Sequence, residues 1–335
     1  MNIQKSALAV VLTGLLFGCG GSDSDDPVPQ MGTFSLGVSD NPADARSVVI
    51  AFKQVVLKND TGSHSFNVMP NGELKFVDLL EFQGSAVETL VSGQSIPVGE
   101  YQMCLYMKNS TVANTDSSFV QTMGDAMHGL VTNSNGSCGG VGAEDSDTGR
   151  LFFNQKFTIA AGVNNFVAEF DLNKGLQGPH GNKDHWTLKP TSVQLFNQSE
   201  VGAIKGTVGA TVMEGCEMAA TGSEFAPTVY LYPANTGLAQ MKDFRPEADT
   251  ATEIAPIAAA RVNDITDATG QVVGHGYEFG FVVTGDYSLG YTCLAQNDDP
   301  DVSNSADDVG APFFIYADEQ GITVTAKAVT ERNFP

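Results

Sequence analysis

Apolar residues recur at every second position in many short runs of this chain, and this alternation constrains its fold more than any other feature. Residues 32–38 place Phe34, Leu36 and Val38 on one side of an extended backbone. Side chains two positions apart share one face of a β-strand, so the pattern predicts strands with one buried face. The same signature predicts further strands at residues 48–57, 73–80, 100–108, 151–159, 165–172 and 186–196.

The second half of the chain repeats this kind of pattern. Strands are predicted there at residues 202–208, 228–233, 277–281, 285–289 and 322–326. Between Leu80 and Ile96, residues 85–91 form the one predicted short helix. The 36 glycines and the many short runs of Val, Ile, Phe and Tyr favour β structure over helix. The sequence therefore predicts an all-β protein.

The length of the chain predicts two domains. A chain of 335 residues exceeds what a single hydrophobic core normally organises. The strand pattern also restarts at Gly202, after a polar stretch. We therefore predict two β-sandwich domains in tandem, over residues 32–199 and 200–335.

The N-terminus has the pattern of an export signal. One positive charge, Lys5, precedes an apolar run over residues 7–17, which is shorter than the roughly 20 residues that span a bilayer. Residues 16–19, Leu-Phe-Gly-Cys, close that run and resemble the bacterial lipobox. This resemblance implies a signal peptide over residues 1–18 and a palmitate-bearing lipid anchor on Cys19. An ordinary signal peptide with an incidental cysteine is the alternative.

The segment after Cys19 is predicted to be a flexible linker over residues 19–31, because it offers no apolar side chain before Val28. Gly20 follows the cysteine, where enterobacterial lipoproteins kept in the inner membrane carry Asp. The resemblance thus implies the outer membrane, facing either the periplasm or the exterior. The formal net charge of −22 repels nucleic acid and anionic headgroups, so we expect no nucleic-acid partner.

Four cysteines remain besides the one predicted to carry lipid: Cys104, Cys138, Cys216 and Cys293. An even number in an exported chain indicates disulfides, and four cysteines allow three connectivities. Each predicted domain contains two, so pairing within domains is the simplest arrangement, Cys104 with Cys138 and Cys216 with Cys293. A zinc site is the alternative, although the cysteines lack the close spacing of zinc ligands.

The order of motifs in the first half resembles one protein family. It runs from the strand at 32–38 through Asp40-Asn41-Pro42, Val77-Asp78-Leu79-Leu80, Ile96-Pro97-Val98-Gly99-Glu100-Tyr101 and Phe170-Asp171-Leu172 to Leu188-Lys189-Pro190. This order is similar to the domain of unknown function 4382 family, over residues 31–197. The family consists largely of bacterial lipoproteins and implies no activity. The polar stretch 109–150 is longer than in other members and is predicted to be an excursion held back by Cys104–Cys138.

The second half resembles transthyretin-like or carboxypeptidase-regulatory-like β-sandwiches. The resemblance rests on a Gly-x-Val strand start, the strand Val229-Tyr230-Leu231, the turn Thr269-Gly270 and the strand entry Gly285-Asp286-Tyr287. It covers residues 200–335. Domains of this type usually serve as structural or adhesive spacers, and the resemblance implies that role here.

Two segments are candidates for metal or active-site chemistry. His180 and His185 flank a Gly/Asn turn, where both imidazoles and Asp184 are possible metal ligands. The acidic stretch 297–308 fails the EF-hand template but keeps a looser calcium site as an alternative, with the candidate ligands Asp299, Asp301, Asp307 and Asp308. In both segments a solvated loop is the simpler interpretation, and no cofactor is expected.

No nucleophile elbow, zinc-protease helix or phosphate-binding loop occurs in the sequence. We therefore predict a cell-envelope lipoprotein that is not an enzyme, and that binds a protein or carbohydrate partner near the membrane surface. The alternative is a hydrolase or metal-dependent enzyme with a site built from the 109–150 excursion and the His180–His185 turn.

Overall fold

A computed structural model describes residues 29–41, 45–140, 145–220 and 224–335. The predicted signal peptide, Cys19 and most of the predicted linker lie outside these residues. We call residues 29–197 the first sandwich and residues 201–335 the second sandwich. None of the helices in the described ranges is long and apolar enough to cross a membrane.

The first sandwich contains the following strands within the described residues: β1 (Met31–Asn41), β2 (Ser47–Asn59), β3 (Gly62–Asn67), β4 (Lys75–Asp78), β5 (Glu88–Pro97), β6 (Gly99–Lys108), β7 (Phe119–Gln121), β8 (Met127–Val131), β9 (Thr148–Ile159), β10 (Gly162–Asp171), β11 (Leu176–Gln177), β12 (Trp186–Leu188) and β13 (Val193–Asn197). A single helical turn, α1 (Leu172–Gly175), follows β10.

These strands form two sheets that face each other. One has the order β13-β10-β1-β5, and the other has nine strands, of which seven run β11-β12-β8-β7-β2-β6-β9 while β3 and β4 pair with β2. Strand β1 pairs with β10 in parallel and with β5 in antiparallel orientation. The core lies between the sheets: Phe34 of β1 stacks on Phe66 of β3 in the opposite sheet with ring centroids 5.8 Å apart, and Leu105 of β6 is fully buried. Each such side chain contributes about 1.5–3 kcal/mol by leaving water.

The second sandwich consists of β14 (Val201–Thr207), β15 (Thr228–Pro233), β16 (Ala258–Arg261), β17 (Asn263–Thr266), β18 (Val272–Val283), β19 (Gly285–Thr292), β20 (Ala317–Val324) and β21 (Val329–Glu331), with one helix, α2 (Ala210–Ala219). Its sheets have the orders β17-β18-β14-β21 and β16-β15-β19-β20. Ile204, Phe279 and Leu289 are buried between them. The prediction of an all-β chain with two sandwiches in tandem is confirmed.

Both predicted disulfides are present, so the cysteine pairing is confirmed. Cys104 on β6 is bonded to Cys138, and Cys216 on α2 is bonded to Cys293 directly after β19. The first bond lies on the outer face of the nine-stranded sheet, where Val56 and Tyr106 bury it in a small cluster of its own. The second bond lies inside the main core of the second sandwich.

The helix predicted at residues 85–91 is wrong. Residues 88–97 form the edge strand β5, in which Leu90 and Val91 are buried. Pairing with β1 supplies backbone hydrogen bonds along the segment, and β-branched residues fit a strand better than a helix. The helix α2 was not predicted.

The polar stretch 109–150 is more ordered than an excursion. Strands β7 and β8 lie within it, and β7 pairs with β2 while β8 pairs with β12. The stretch therefore extends the nine-stranded sheet, and the disulfide to Cys138 fastens the loop that follows. Polar composition hid these strands because they are only three and five residues long.

The two sandwiches are in contact with each other. Val167 of β10 packs against Val201 and Phe281 of the second sandwich in a small apolar cluster. Beside it the backbones approach closely, because a Cβ on Gly280 would lie 2.0 Å from the carbonyl oxygen of Gly84. Gly84 itself has a φ of 61°, which a residue with a side chain rarely adopts. Glycine is thus required on both sides of this contact.

Candidate functional site

Two loops, each predicted from the sequence to contain candidate site residues, meet between the sandwiches. Residues 172–180 and Trp186 of the first sandwich face residues 295–301 of the second across a cavity of about 420 Å³. We call this cavity the inter-sandwich cleft. One wall thus contains His180 from the predicted histidine turn, and the other contains Asp299 and Asp301 from the predicted acidic stretch.

Local hydrogen bonds fix the first wall. Asp171 caps α1, since its Oδ1 accepts a hydrogen bond from the backbone N–H of Lys174 at 3.1 Å. The chain then enters β11, which pairs with β12 so that Leu176 lies opposite Leu188. The residues between these two short strands form the loop over the cleft, and Trp186 stands at the point where that loop returns to the sheet.

Trp186 is the only tryptophan of the chain, and it is half-buried. Its ring packs partly on the first core. The loop passes close to the indole, because a Cβ on Gly178 would lie 3.8 Å from its Cη2. From the sequence, Trp186 is predicted only to be part of a strand. Trp186 is the single tryptophan and directly follows His185 in a polar turn, and this was the sequence signal that could have indicated a binding role.

Asp301 joins the two walls. Its Oδ1 accepts a hydrogen bond from Lys189 Nζ at 2.9 Å, and its Oδ2 accepts one from Gln177 Nε2. The bond from Lys189 holds the pKa of Asp301 below its ordinary value. Lys189 and Gln177 belong to the first sandwich, so this carboxylate ties the acidic loop to the opposite wall.

Asp298 belongs to the wall of the cleft that the second sandwich provides. One carboxylate oxygen, Oδ2, accepts a hydrogen bond from the Tyr230 hydroxyl at 2.8 Å. The other oxygen is enclosed and has no hydrogen-bond partner among the described residues. Burial raises the pKa of Asp298 to about 7, against the smaller opposing effect of the Tyr230 hydrogen bond. Burial likewise raises the pKa of Asp171 to about 7.

The histidine turn is only partly in the cleft. His180 Nδ1 lies 3.2 Å from the carbonyl oxygen of Gly178, whereas His185 is not among the lining residues. His128 of β8 bonds the carbonyl oxygen of Asp184 at 2.9 Å, so the 109–150 segment does touch the turn. The contact runs through a backbone carbonyl. It therefore does not orient an imidazole against a carboxylate, as a catalytic dyad would require.

The four calcium candidates are divided between two places. Asp299 and Asp301 line the cleft, whereas Asp308 accepts a hydrogen bond from the Ser305 backbone N–H and Asp307 is exposed. Within the described part of the chain, no three His, Cys, Asp or Glu residues are grouped so that they could hold a metal ion. Calcium binding by this loop stays a hypothesis.

Two of the other cavities in the described part of the chain are larger than the cleft. One, of about 570 Å³, lies beside β14, β17 and β18 and is bordered by Gln83 and Gly84 of the first sandwich. The other, of about 640 Å³, is lined mostly by polar residues of the 109–150 segment, such as Asn114. Neither contains an accessible aromatic ring, because Tyr277 in the first is 3% exposed. The inter-sandwich cleft is therefore the strongest candidate site in the described residues.

Comparison with known proteins gives distant structural likenesses. The chain is 11% identical to a cell adhesion protein candidate from Bacteroides fragilis, covering 91% of this chain and 92% of that one, with a TM-score of 0.20. A similar candidate from Parabacteroides distasonis is 10% identical, with coverages of 91% and 99% and a TM-score of 0.20. A leucine-rich repeat protein from Bacteroides thetaiotaomicron is 12% identical with a TM-score of 0.18, and the match covers 91% of this chain but 26% of that protein. Scores of this size are too low to carry a functional argument.

Sequence comparison is more informative for the first sandwich. No curated protein sequence matches the chain. Residues 31–190 match the family model described as Domain of unknown function (DUF4382), over the segment whose motif order predicts it. Over residues 31–190, slightly less than half of the chain, the first sandwich is therefore similar to the DUF4382 family.

Proposed function

We propose that this chain is a lipid-anchored protein of the bacterial outer membrane that binds a partner in the inter-sandwich cleft and catalyses no reaction. The observation that carries the proposal is the cleft itself. Loops from both sandwiches converge there on a concave surface with one aromatic ring and several polar groups, which is the usual composition of a binding site.

The charge of the chain and its disulfides support an extracytoplasmic location. Two disulfides are stable in an oxidising compartment and rare in a reducing one. The net charge of −22 suits a soluble domain held near an anionic membrane without adhering to it. The lipobox-like residues 16–19 supply the proposed anchor on Cys19.

The groups in the cleft favour binding over catalysis. Asp301 is already engaged by Lys189 and Gln177, and Asp298 is bonded to the Tyr230 hydroxyl through one oxygen while its other oxygen is enclosed. A general acid or base must instead be free to exchange a proton with a substrate. The alternative function, a hydrolase or metal-dependent enzyme, retains one supporting observation, which is the contact between His128 and the histidine turn.

Lipid labelling tests the proposed anchor. In a bacterial host that expresses the whole chain, labelled palmitate should enter the wild-type protein and should be absent from Cys19→Ser. Wild-type protein should fractionate with the outer membrane, and Cys19→Ser should not. Equal labelling of the two chains would disprove the anchor, and inner-membrane fractionation would disprove the assigned membrane.

A further inference from the structure

We infer that the inter-sandwich cleft binds an uncharged or amino-bearing saccharide, which lies against Trp186 and bonds to the polar groups of the opposite wall. The inference rests on the proposed function and specifies the ligand class for the same site. Four features of the cleft support it: its ring, its polar groups, its charge and its size.

The ring of Trp186 provides the apolar surface. A pyranose presents a face of C–H groups that packs on a flat aromatic ring, and an indole offers the largest such ring among the side chains. The loop at Gly178 holds one part of the indole, and the first core holds another, so the ring is fixed before a ligand arrives. A fixed ring loses little conformational entropy on binding.

The polar groups of the cleft suit hydroxyl groups. Asn173 and Gln177 line the first wall, and an amide side chain both donates and accepts hydrogen bonds. The amide of Gln296 on the opposite wall is already bonded to the backbone of Glu224 and Ala226. Asp299 is exposed, and its Oδ1 already accepts a hydrogen bond from the Asp301 backbone N–H at 3.0 Å, which orients the carboxylate. A sugar hydroxyl donates and accepts as well, so it can pair with either kind of group.

The charge of the cleft determines which saccharides fit. Asp298, Asp299 and Asp301 line it. Asp301 is paired with Lys189, and Asp298 is partly protonated near neutral pH because burial raises its pKa to about 7. Asp299 therefore carries most of the excess negative charge. The excess negative charge disfavours uronic acids and other anionic sugars. A protonated amino group is favoured by the carboxylates, and by the indole face if it approaches Trp186.

The size of the cleft favours a saccharide over a protein as its ligand. A cavity of about 420 Å³ lies within the range of about 300–1,000 Å³ that is typical of small-molecule sites. A specific protein interface instead buries about 800 Å² on each partner, over a flatter surface. The concave shape therefore favours one or two sugar rings, or the end of a longer glycan.

The single tryptophan makes binding directly measurable. Purified chain from residue 20 onward is titrated with cello-, manno- and chitosan oligosaccharides and with oligogalacturonate, and the Trp186 emission is followed. We expect a saturable change with at least one uncharged or amino oligosaccharide and none with oligogalacturonate. No response to any uncharged or amino oligosaccharide, or a response to oligogalacturonate alone, would overturn the inference.

Matched variants of the acidic loop locate the site. Asp299→Ala removes a lining carboxylate, whereas Asp307→Ala removes an exposed carboxylate of the same loop outside the cleft. Asp299→Ala should weaken binding at least tenfold, and Asp307→Ala should leave it within twofold. Equal effects of the two variants would place binding elsewhere. Trp186→Leu, measured by calorimetry because it removes the fluorophore, should abolish binding while circular dichroism stays unchanged.

The lipid-labelling result separates this inference from the proposed function. If palmitate enters Cys19 and no uncharged or amino saccharide binds, the saccharide assignment fails and the anchored protein remains. If saccharide binds and Cys19 is not labelled, the site stands and the anchor fails. A protein partner whose affinity drops with both Asp299→Ala and Trp186→Leu, in the absence of saccharide binding, would also overturn the saccharide assignment.

Discussion

The two sandwiches each contain one disulfide, but the bonds stand in different surroundings. In the first sandwich, Cys104–Cys138 belongs to a satellite cluster outside the sheet, while the core between the sheets contains no cysteine among the described residues. In the second sandwich, Cys216 and Cys293 are core residues themselves, in contact with the apolar side chains of both sheets. Cys104–Cys138 attaches a loop to the outside of a sheet, whereas Cys216–Cys293 is part of the core of its domain.

This difference predicts that two crosslinks with nearly equal chain-entropy terms contribute unequally to stability. The bonds close loops of 34 and 77 residues, for which chain entropy alone predicts nearly equal stabilisation, about 4 kcal/mol each. The two bonds differ in the packing around them. The second sandwich has the smaller core, so a larger share of its stability depends on what surrounds its bond.

Removal of the Cys216–Cys293 bond should have the largest effect on stability. We expect Cys216→Ala with Cys293→Ala to lower the free energy of unfolding by about 4 kcal/mol or more, because chain entropy is lost and two buried sulfurs leave space in the core. Urea unfolding of the chain from residue 20, compared with wild type, measures it. A loss smaller than that of the first-sandwich pair would contradict the comparison.

Removal of the Cys104–Cys138 bond should have a smaller and more local effect. Cys104→Ala with Cys138→Ala should cost about 3 kcal/mol or less, since the loop around Cys138 can detach while the core between the sheets stays intact. Limited proteolysis should then cut within residues 132–140, where wild type resists. Cleavage throughout the first sandwich would show that this bond supports the whole domain.

The pH dependence of stability depends on one buried carboxyl group from each sandwich, Asp171 of the first and Asp298 of the second. The negative charge of Asp171 contributes to raising the pKa of Asp298. Both have a folded-state pKa of about 7 against an ordinary value of 3.8. Between these values the folded chain binds more protons than the unfolded chain, so stability should fall as pH rises from about 4 to 7. We expect a loss of several kcal/mol, since each unit of pKa difference corresponds to about 1.4 kcal/mol.

Two variants apportion this loss between the sandwiches. Asp171→Asn keeps the cap on α1, because the amide oxygen also accepts the hydrogen bond from Lys174 N–H, and it should flatten the pH profile. Asp298→Asn should flatten it to a similar extent, because both carboxyl groups have a folded-state pKa of about 7. Urea unfolding at a series of pH values measures both, and an unchanged profile in Asp171→Asn would contradict the assignment.

Most of the strands and both disulfides could be predicted from the sequence. Alternation over residues such as Phe34, Leu36 and Val38 is a local signal, and the structure buries all three. The cysteine pairing followed from the boundary near residue 200, because each half contains one pair. These predictions succeeded since each depends on neighbouring residues or on simple counting.

The inter-sandwich cleft could not be predicted in the same way. Gln177 and Asp301 are separated by 124 residues, and nothing local to either indicates the other. Their meeting depends on how two folded domains dock. The wrong helix at residues 85–91 has a similar origin, because β1 supplies the hydrogen bonds that make β5 a strand.

The central place of β1 affects how the protein would bear mechanical load. This strand is the first of the described chain and is hydrogen-bonded along both edges, to β10 and to β5. A force applied from the N-terminal side acts along the strand, so it shears two ladders at once instead of unzipping one bond after another. If Cys19 carries the proposed lipid anchor, a pull between the membrane and a bound partner would enter the described chain at a strand that resists rupture.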